Sequence, residues 1–279
     1  MSESPQPVGR VAFDVTLSSD IAHVILKGPG KGNALGPDFW REAPAVFDEI
    51  DANPAVRAVV LSGAGANFSY GLDLVAMTSE LRYALAASAM AAERTRFFDQ
   101  ISAMQRAVTS LMSCRKPVVA SVSGWCVGAA LDLICAADIR VCSSEAMFSA
   151  RAVRIGIVED MGSLQRLPVI VGEGAARELC LTGDDFGAAR AAQLGLVTHV
   201  DDTSDAALRR AFDIASRIAA NPPLTVQGVK HVMNQRAHAG LRESLQYSAL
   251  WNAAFMQSRD FAEAIAAFVE KREPKFEGR

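Results

Sequence analysis

The sequence predicts an α/β fold followed by a helical region. Short apolar runs of strand length alternate with helical patterns through the first two thirds of the chain. The connections between these segments are mainly short, as is typical of α/β proteins. From about residue 204 onward only helical patterns occur. We therefore predict an α/β core in residues 1–203 and a C-terminal helical region in residues 204–279.

The composition is that of a globular protein without a strong charge. The chain has 279 residues, of which 50% are hydrophobic, so it can bury a core without disulfides or a metal. Its formal net charge of -3 provides no cationic field for nucleic acid or acidic membranes, so neither is an expected partner. The five cysteines are an odd number without a C-x-x-C pair, which indicates reduced thiols in a reducing compartment.

The start of the chain and its hydropathy predict a location. Residues 1–10 have neither the basic head nor the apolar stretch of a signal peptide. No later apolar run reaches transmembrane length. We therefore expect a soluble cytoplasmic protein.

The first elements are a hairpin, a helix and a buried strand. Residues 10–17 and 21–27 are β-branched and apolar, and the polar residues between them suit a turn. An apolar stripe with helical spacing begins after Pro37 and ends around residue 53. The continuous apolar run at 56–62 is typical of a strand buried on both faces.

The same alternation continues through the middle of the chain. Residues 93–113 carry a helical stripe of apolar side chains. Residues 118–122 form a short apolar run after a Lys-Pro pair, which predicts another buried strand. A helix of small residues at 129–136 and a strand at 138–142 follow.

The C-terminal region shows three helical patterns, near residues 204–220, 222–238 and 240–271. The last of them carries apolar side chains that would be bulky for a solvated face: Leu241, Leu245, Ala249, Trp251 and Phe255. Packing on a neighbouring subunit and packing on the chain's own core are both compatible with this pattern.

Two glycine-containing junctions, residues 68–74 and 122–133, follow predicted strands and precede predicted helices. The first N–H groups of a helix lack partners within the helix, and the helix dipole makes this end electropositive. Two such junctions are able to bind one oxyanion between them. The alternative is that the glycines serve only the geometry of the turns.

Two aspartates are candidates for acid–base chemistry. Asp132 lies within the otherwise apolar segment 129–136, where a charge is costly unless it is paired or functional. Asp160 lies between Gly156 and Gly162, just before a predicted helix, and the N-cap of that helix is its alternative role. Motifs of serine hydrolases, nucleotide-binding loops and zinc proteases do not occur, and the four histidines show no metal-ligand spacing.

Several blocks resemble, in order and spacing, the signature of the crotonase (enoyl-CoA hydratase/isomerase) superfamily. They are Asn33-Ala-Leu35, Phe68-Ser-Tyr-Gly-Leu-Asp-Leu74, Val122 to Asp138 and Gln165-Arg-Leu167. The likeness covers about residues 10–276. It implies a spiral of β-β-α turns with a C-terminal helical trimerisation region, and therefore a homotrimer or a hexamer. It also implies an acyl-CoA thioester as substrate and no separate cofactor, since coenzyme A is part of that substrate.

Within the superfamily the chain is most similar to the Δ3,5-Δ2,4-dienoyl-CoA isomerases. The similarity is carried by Val127-Gly-Ala-Ala-Leu-Asp-Leu133 with Asp138-Ile-Arg140, by Asp160-Met-Gly-Ser-Leu-Gln-Arg-Leu-Pro168 and by Glu243-Ser-Leu-Gln-Tyr-Ser-Ala-Leu-Trp-Asn252. These enzymes act in fatty acid β-oxidation. The resemblance implies that the thioester carbonyl binds between two backbone N–H groups, which fall here on Leu72 and Ala129.

The resemblance also assigns roles to the acids. Dienoyl-CoA isomerases move a proton with an acidic trio, and two of its positions match Asp132 and Asp160. The third position, a glutamate in the family pattern, is Ala152 here. Glu159 is not expected to replace it, because neighbouring side chains on an extended segment point in different directions. Arg151 is expected to be a surface cation.

The resemblance implies a coenzyme A path around the first junction. We expect contacts with substrate from Lys31, Tyr70, Gly71, Leu72, Asp73, Leu74, Ala129 and Phe276. Phe276 is expected to pack over the coenzyme from the same or a neighbouring subunit.

Three hypotheses for the function follow. In the first, Asp160 removes a proton from C2 of a 3,5-dienoyl-CoA, and Asp132 or a water returns one at C6. In the second, a single carboxylate performs the shorter Δ3 to Δ2 shift of an enoyl-CoA, or another reaction of the family. Classical hydration is disfavoured by Ala152. In the third, the protein binds acyl-CoA without catalysis.

Overall fold

The computed structural model describes residues 10–28, 31–86, 88–237 and 240–278. Residues 1–9, on which the expectation about a signal peptide rests, lie outside this range. In chain order the strands are β1 Phe13–Ser18, β2 Ile21–Leu26, β3 Ala58–Gly63, β4 Val118–Val122, β5 Trp125–Val127, β6 Ile139–Ser143, β7 Met147–Ser149, β8 Asp185–Gly187 and β9 His199–Asp201.

The described residues also form twelve α-helices and one 3-10 helix, Arg151–Ile155. The α-helices are α1 Pro37–Ala52, α2 Leu74–Glu80, α3 Arg82–Leu85, α4 Ala91–Ser113, α5 Ala129–Cys135, α6 Ser163–Val171, α7 Glu173–Thr182, α8 Ala188–Gln193, α9 Ser204–Ala219, α10 Pro223–Ala237, α11 Leu241–Phe255 and α12 Arg259–Glu270.

The main sheet has six strands in the order β1-β2-β3-β4-β6-β9. The hairpin of β1 and β2 is antiparallel, and every later neighbour pairs in parallel. Helix α9 packs on β3, β4 and β6, where Ala211 and Ala215 contact the apolar face of the sheet. The larger core lies on the other face. The central strands are buried on both faces, which explains their continuous apolar sequences.

A second sheet of three short strands, in the order β5-β7-β8, lies beside the start of α5. Strands β5 and β7 are parallel, and β7 and β8 are antiparallel. Each of these strands has three residues, which is too few for a recognisable alternation. This small sheet was not predicted, although it positions the second glycine junction.

The described residues of the C-terminal region form four helices, one more than the three predicted patterns. The third pattern divides at residues 256–258, because the Ser258 hydroxyl accepts a hydrogen bond from the backbone N–H of Phe261 (3.1 Å) and caps a new helix. Residue 238, the end of the second pattern, lies outside the described residues. The division of the chain at residue 203 stays a prediction.

The apolar residues of α11 divide between two environments. Leu241, Leu245 and Ala249 are buried in the chain's own core. Trp251 and Phe255 stay 43% and 60% exposed, and their rings lie 4.7 Å apart on the surface. Packing on the chain's own core therefore accounts for the first part of α11, and packing on a neighbouring subunit stays possible for its exposed end.

A buried ion pair connects α10 to the main sheet. The Lys230 ammonium, whose side chain is 5% exposed, donates to the carboxylate of Asp138 (2.7 Å) and to the carbonyl of Lys116 (3.1 Å). The same Asp138 oxygen accepts from the N–H of Val118, the first residue of β4 (2.8 Å). Asp138 therefore stabilises the start of a central strand as well as a buried charge.

We expect Asp138→Ala to lower the free energy of unfolding by about 3 kcal/mol, because it leaves the buried Lys230 charge without its counter-ion. Unfolding in urea measures this change. The control is Glu173→Ala, which breaks an exposed ion pair with Arg177 on α7 and is expected to change stability little. Equal effects of the two variants would contradict the assignment.

Candidate active site

The two glycine junctions lie side by side. The N–H of Ser69 donates to the carbonyl of Trp125 (2.9 Å), and the N–H of Val127 donates to the carbonyl of Ser69 (3.1 Å). On its other side, the first junction pairs with the loop at Leu35, whose N–H donates to the carbonyl of Gly71 (2.7 Å). The segment 69–72 is therefore held between two other segments of backbone.

Gly71 allows the two junctions to approach closely. Its φ is +77°, in the left-handed region that favours glycine. A Cβ at this position would lie 2.2 Å from the carbonyl oxygen of Val127 and 3.3 Å from the nitrogen of Ala129. Any side chain here would separate the junctions. The absence of a Cβ brings the backbone before Leu72 next to the first residue of α5.

Both expected oxyanion donors are free. Around the bridge between Leu35 and Leu72, the partners of Leu35 are the carbonyl of Gly71 and the N–H of Asp73, so the N–H of Leu72 is not used. Ala129 is the first residue of α5, after the N-cap Gly128. Within the described part of the chain, neither N–H donates to a protein acceptor, and both residues line one cavity.

This cavity has a volume of about 860 Å³ and a mainly apolar wall. Of the predicted site residues, it is lined by Lys31, Tyr70, Leu72, Asp73, Leu74, Ala129, Asp132 and Asp160. Gly71 is not part of the lining and acts through its backbone contact with Val127. Phe276 is not brought to the cavity in the single chain and is 48% exposed. The structure thus brings together all but two of the predicted residues.

Asp132 is a buried acid, 3% exposed, on α5. One oxygen accepts a hydrogen bond from the backbone N–H of Ser163, the first residue of α6. Burial raises the pKa of Asp132 to about 6, although Ser163 and the charge of Arg166 oppose this rise. This environment fits the expectation that an acid in this apolar helix is either paired or functional.

Asp160 projects from the loop before α6. Its carboxylate accepts a hydrogen bond from the side-chain amide of Asn252 on α11 (2.7 Å). Gln105 on α4 holds the backbone of the same residue by donating to its carbonyl (2.8 Å). Burial raises the pKa of Asp160 to about 7, and the charge of Asp132 raises it further. The N-cap of α6 is Gly162, so the alternative role of Asp160 as a helix cap is wrong.

Glu159 lines the same cavity, and the expectation that it would not share the site with Asp160 is wrong. It is 6% exposed and accepts hydrogen bonds from the Ser163 hydroxyl (2.6 Å) and the Cys180 thiol (3.4 Å). Burial raises its pKa to about 7, with a further contribution from Asp132. Neighbouring side chains do diverge here, but both reach the wall of one cavity that surrounds Asp132.

The 3-10 helix brings Arg151 and Ala152 to the cavity wall. Ala152 contributes only a methyl group there. Arg151 was expected to be a surface cation, but its side chain is only 36% exposed, pairs with Asp185 and lies over the ring of Trp125 (5.4 Å). The guanidinium also donates to the hydroxyl of Ser149 (3.1 Å), and these three partners fix it beside the cavity.

Two polar side chains of the signature blocks shape the backbone around the cavity. Asp73 accepts a hydrogen bond from the N–H of Ala76 (3.0 Å) and caps α2. Asn33 donates to the carbonyls of Ala64 and Asn67, both at 2.8 Å, and holds the loop before Leu35. The signal for the role of Asn33 was its place in the block at 33–35, which does not specify hydrogen-bond partners.

The described residues contain neither a cluster of metal ligands nor a membrane-spanning helix. No group of three or more His, Cys, Asp or Glu side chains among them is arranged to hold a metal ion. None of their helices has the length and hydropathy needed to cross a membrane.

Comparison with known proteins identifies relatives along nearly the whole chain. A peroxisomal Δ3,5-Δ2,4-dienoyl-CoA isomerase of Arabidopsis thaliana is 39% identical over 92% of this chain and 93% of its own length. A mitochondrial Δ3,5-Δ2,4-dienoyl-CoA isomerase of Mus musculus is also 39% identical, over 91% of this chain and 78% of its own. These relatives are peroxisomal or mitochondrial by name, so the expectation of a cytoplasmic protein is wrong.

Solved structures support the fold. A crystal structure of an enoyl-CoA hydratase from Mycobacterium avium subsp. paratuberculosis K-10 matches with a TM-score of 0.83 at 25% identity, over 96% of this chain and all of the other. A putative enoyl-CoA hydratase from Streptomyces coelicolor A3(2) matches with a TM-score of 0.75 at 30% identity, over 100% of this chain and 98% of the other. The predicted crotonase-type α/β fold is confirmed.

The family model described as enoyl-CoA hydratase/isomerase matches residues 16–279. With the fold, the cavity and the relatives in agreement, the chain belongs to the enoyl-CoA hydratase/isomerase family.

Proposed function

We propose that this enzyme is a Δ3,5-Δ2,4-dienoyl-CoA isomerase of fatty acid β-oxidation. The observation that carries the proposal is one apolar cavity that holds two free backbone N–H groups and the buried carboxyl of Asp160. This combination suits a thioester whose C2 proton is removed. The isomerases of Arabidopsis and mouse, similar over more than nine tenths of the chain, support the choice of substrate.

The two N–H groups stabilise the enolate. The thioester oxygen lies between the N–H groups of Leu72 and Ala129, and negative charge collects on it as the proton leaves C2. Fixed donors bind this charge more strongly than the neutral carbonyl, so they lower the barrier. The close contact between Gly71 and the backbone of Val127 sets the spacing of these two donors.

Asp160 is the base that takes the C2 proton. A carboxyl with a pKa of about 7 is a stronger base than an ordinary aspartate and is still largely ionised just above neutral pH. The amide of Asn252 fixes the orientation of this carboxylate. Asp132, with a pKa of about 6, is the second acid of the mechanism.

The rest of the cavity binds the substrate. Apolar side chains from α2 and α4 surround the acyl chain: Met77, Phe97, Ile101 and Met104. Lys31 and Tyr70 lie along the path of coenzyme A, where an ammonium group suits a phosphate. The reaction uses no cofactor other than the coenzyme A of the substrate.

The enzyme acts as a homotrimer or as a hexamer made of two trimers. The exposed rings of Trp251 and Phe255 on α11 support this assembly, because two adjacent aromatic side chains on a helix surface favour burial against another subunit. Phe276, which is exposed and does not line the cavity of its own chain, would then contact coenzyme A of a neighbouring subunit.

A second candidate is the shorter Δ3 to Δ2 shift of an enoyl-CoA. Ala152 favours it, because the 3-10 helix supplies no acid to the cavity and one carboxylate is able to serve both steps of that reaction. Turnover of a 3,5-dienoyl-CoA and of a 3-enoyl-CoA distinguishes these two candidate functions.

Purified protein is expected to convert a 3,5-dienoyl-CoA to the conjugated 2,4-dienoyl-CoA, which is followed by its ultraviolet absorbance. Asp160→Asn removes the base and is expected to lower kcat by at least about 100-fold. The control is Asp205→Asn on the exposed first turn of α9, which is expected to keep full activity. Turnover of a 3-enoyl-CoA alone would support the second candidate, and binding without turnover of either substrate would support a non-catalytic protein.

The pH profile of kcat tests the assignment of the base. Because burial raises the pKa of Asp160 to about 7, kcat is expected to fall as the pH decreases through this value. Below it, protonated Asp160 cannot accept the C2 proton. An ordinary aspartate would lose activity only near pH 4. A profile that is flat between pH 5 and 8 would contradict Asp160 as the base.

Ala129→Pro tests the oxyanion donor on α5. Proline lacks the N–H and is tolerated at the first position of a helix, so stability is expected to change little. We expect kcat to fall about 100- to 1000-fold. Glu173→Pro is the matched control, because Glu173 is the exposed first residue of α7 and also follows a glycine. Similar kcat values for the two variants would exclude this donor.

A further inference from the structure

Glu159 is a buried acid that the mechanism above does not use. Its Oε2 accepts both hydrogen bonds, from the hydroxyl of Ser163 and the thiol of Cys180. Its Oε1 is buried and has no hydrogen-bond partner among the described residues. A buried carboxyl oxygen without a donor costs stability, so this position is not explained by folding alone.

Three acids that line the cavity, Asp132, Glu159 and Asp160, are close enough to influence one another. Ser163 binds two of them, Asp132 through its backbone N–H and Glu159 through its hydroxyl. Asp160 is held separately by Asn252. The charge of Asp132 acts on both Glu159 and Asp160 and raises the pKa of each. Asp132 is therefore the shared neighbour of two acids that belong to different hydrogen-bonded groups.

The carboxyl of Glu159 reaches the part of the wall formed by the 3-10 helix. It lies near the backbone N–H of Ala152, outside hydrogen-bond geometry but close enough for that group to lower its pKa. Both residues line the cavity. Position 152 carries only a methyl group, so the carboxyl beside this part of the wall is that of Glu159.

The proposed isomerisation needs two proton-transfer groups. In a 3,5-dienoyl thioester the proton leaves C2 and another arrives at C6, and three carbon atoms separate these positions. A single carboxylate beside C2 does not reach C6. The second group must carry a proton when the first is ionised, and it must lie in the same cavity.

We propose that Glu159 is a catalytic residue that delivers the proton to C6, an inference that rests on the proposed isomerase function. Asp160 takes the C2 proton, and the electron pair spreads from the thioester oxygen to C6. The O–H bond of Glu159 then breaks, its proton forms the new C–H bond at C6, and the double bonds settle at C2 and C4. Glu159 is left ionised and Asp160 protonated. Proton exchange through Asp132 or with solvent restores the starting state.

The environment of Glu159 supports this role. Burial raises its pKa to about 7, so at neutral pH a substantial fraction of the molecules holds a proton on this residue. The Ser163 hydroxyl orients the carboxyl through Oε2, and Oε1 is left without a hydrogen-bond partner among the described residues. No other carboxyl beside the 3-10 helix lines the cavity among the described residues.

Glu159→Gln separates the two proton transfers. In heavy water, this variant is expected to lose at least about 100-fold in kcat for 2,4-dienoyl-CoA formation. It is expected to keep deuterium incorporation at C2 of the 3,5-dienoyl-CoA, measured by mass spectrometry, within about threefold of the wild-type rate. Asp160→Asn is expected to lose both. Glu173→Gln, a change of the same kind on the surface of α7, is the control.

A rescue variant provides the second test. Glu159→Ala combined with Ala152→Glu returns a carboxyl to the same part of the wall and is expected to regain at least about tenfold in kcat over Glu159→Ala alone. Wild-type turnover by Glu159→Gln would overturn the proposal, as would parallel loss of C2 exchange and isomerisation. A wild-type protein that exchanges C2 but forms no 2,4-dienoyl-CoA would instead contradict the proposed function, and the role at C6 with it.

Discussion

The close contact between Gly71 and the backbone of Val127 is the constraint on which the site depends. A separation of 2.2 Å between an imagined Cβ and the Val127 carbonyl oxygen leaves room for hydrogen only. This contact fixes the first junction against β5, and β5 leads directly into α5. The positions of the two free N–H groups are thus determined by the main chain, before any side chain is considered. Their geometry is insensitive to most side-chain changes elsewhere in the cavity.

The three acids, unlike the main-chain donors, depend on the side chains around them, because each buried carboxyl loses hydration free energy. The structure meets part of this cost with donors from α6, α11 and the loop around them: Ser163 for Asp132 and Glu159, and Asn252 for Asp160. These donors do not fully compensate the loss of hydration, so the pKa values of all three acids are raised. Burial destabilises the ionised form of each carboxyl and brings its pKa close to neutral pH. An acid–base catalyst requires a pKa in this range.

Much of the fold was predictable from the sequence, since long elements have a clear period. The limits of β4 were predicted to the residue, and those of α5 within one residue. The small sheet was not predictable, because strands of three residues have no period. Asp132 could be identified as a buried acid because its helix is otherwise apolar. Glu159 could not, because neighbouring side chains on an extended segment are expected to point in different directions, whereas Glu159 and Asp160 both line the cavity.

Ala152 and Glu159 illustrate that a proton donor in this cavity is defined by its position in space and not by its position in the sequence. The two residues are separated by a turn of 3-10 helix and a short loop, yet the backbone of one lies beside the carboxyl of the other. A proton donor is defined by the carbon atom it reaches, its proton affinity and its orientation. All three are properties of the cavity wall. Because several segments form the cavity wall, a carboxyl attached at position 159 lies beside the same part of the wall as one attached at position 152. An alanine at position 152 therefore does not by itself remove proton transfer to the substrate.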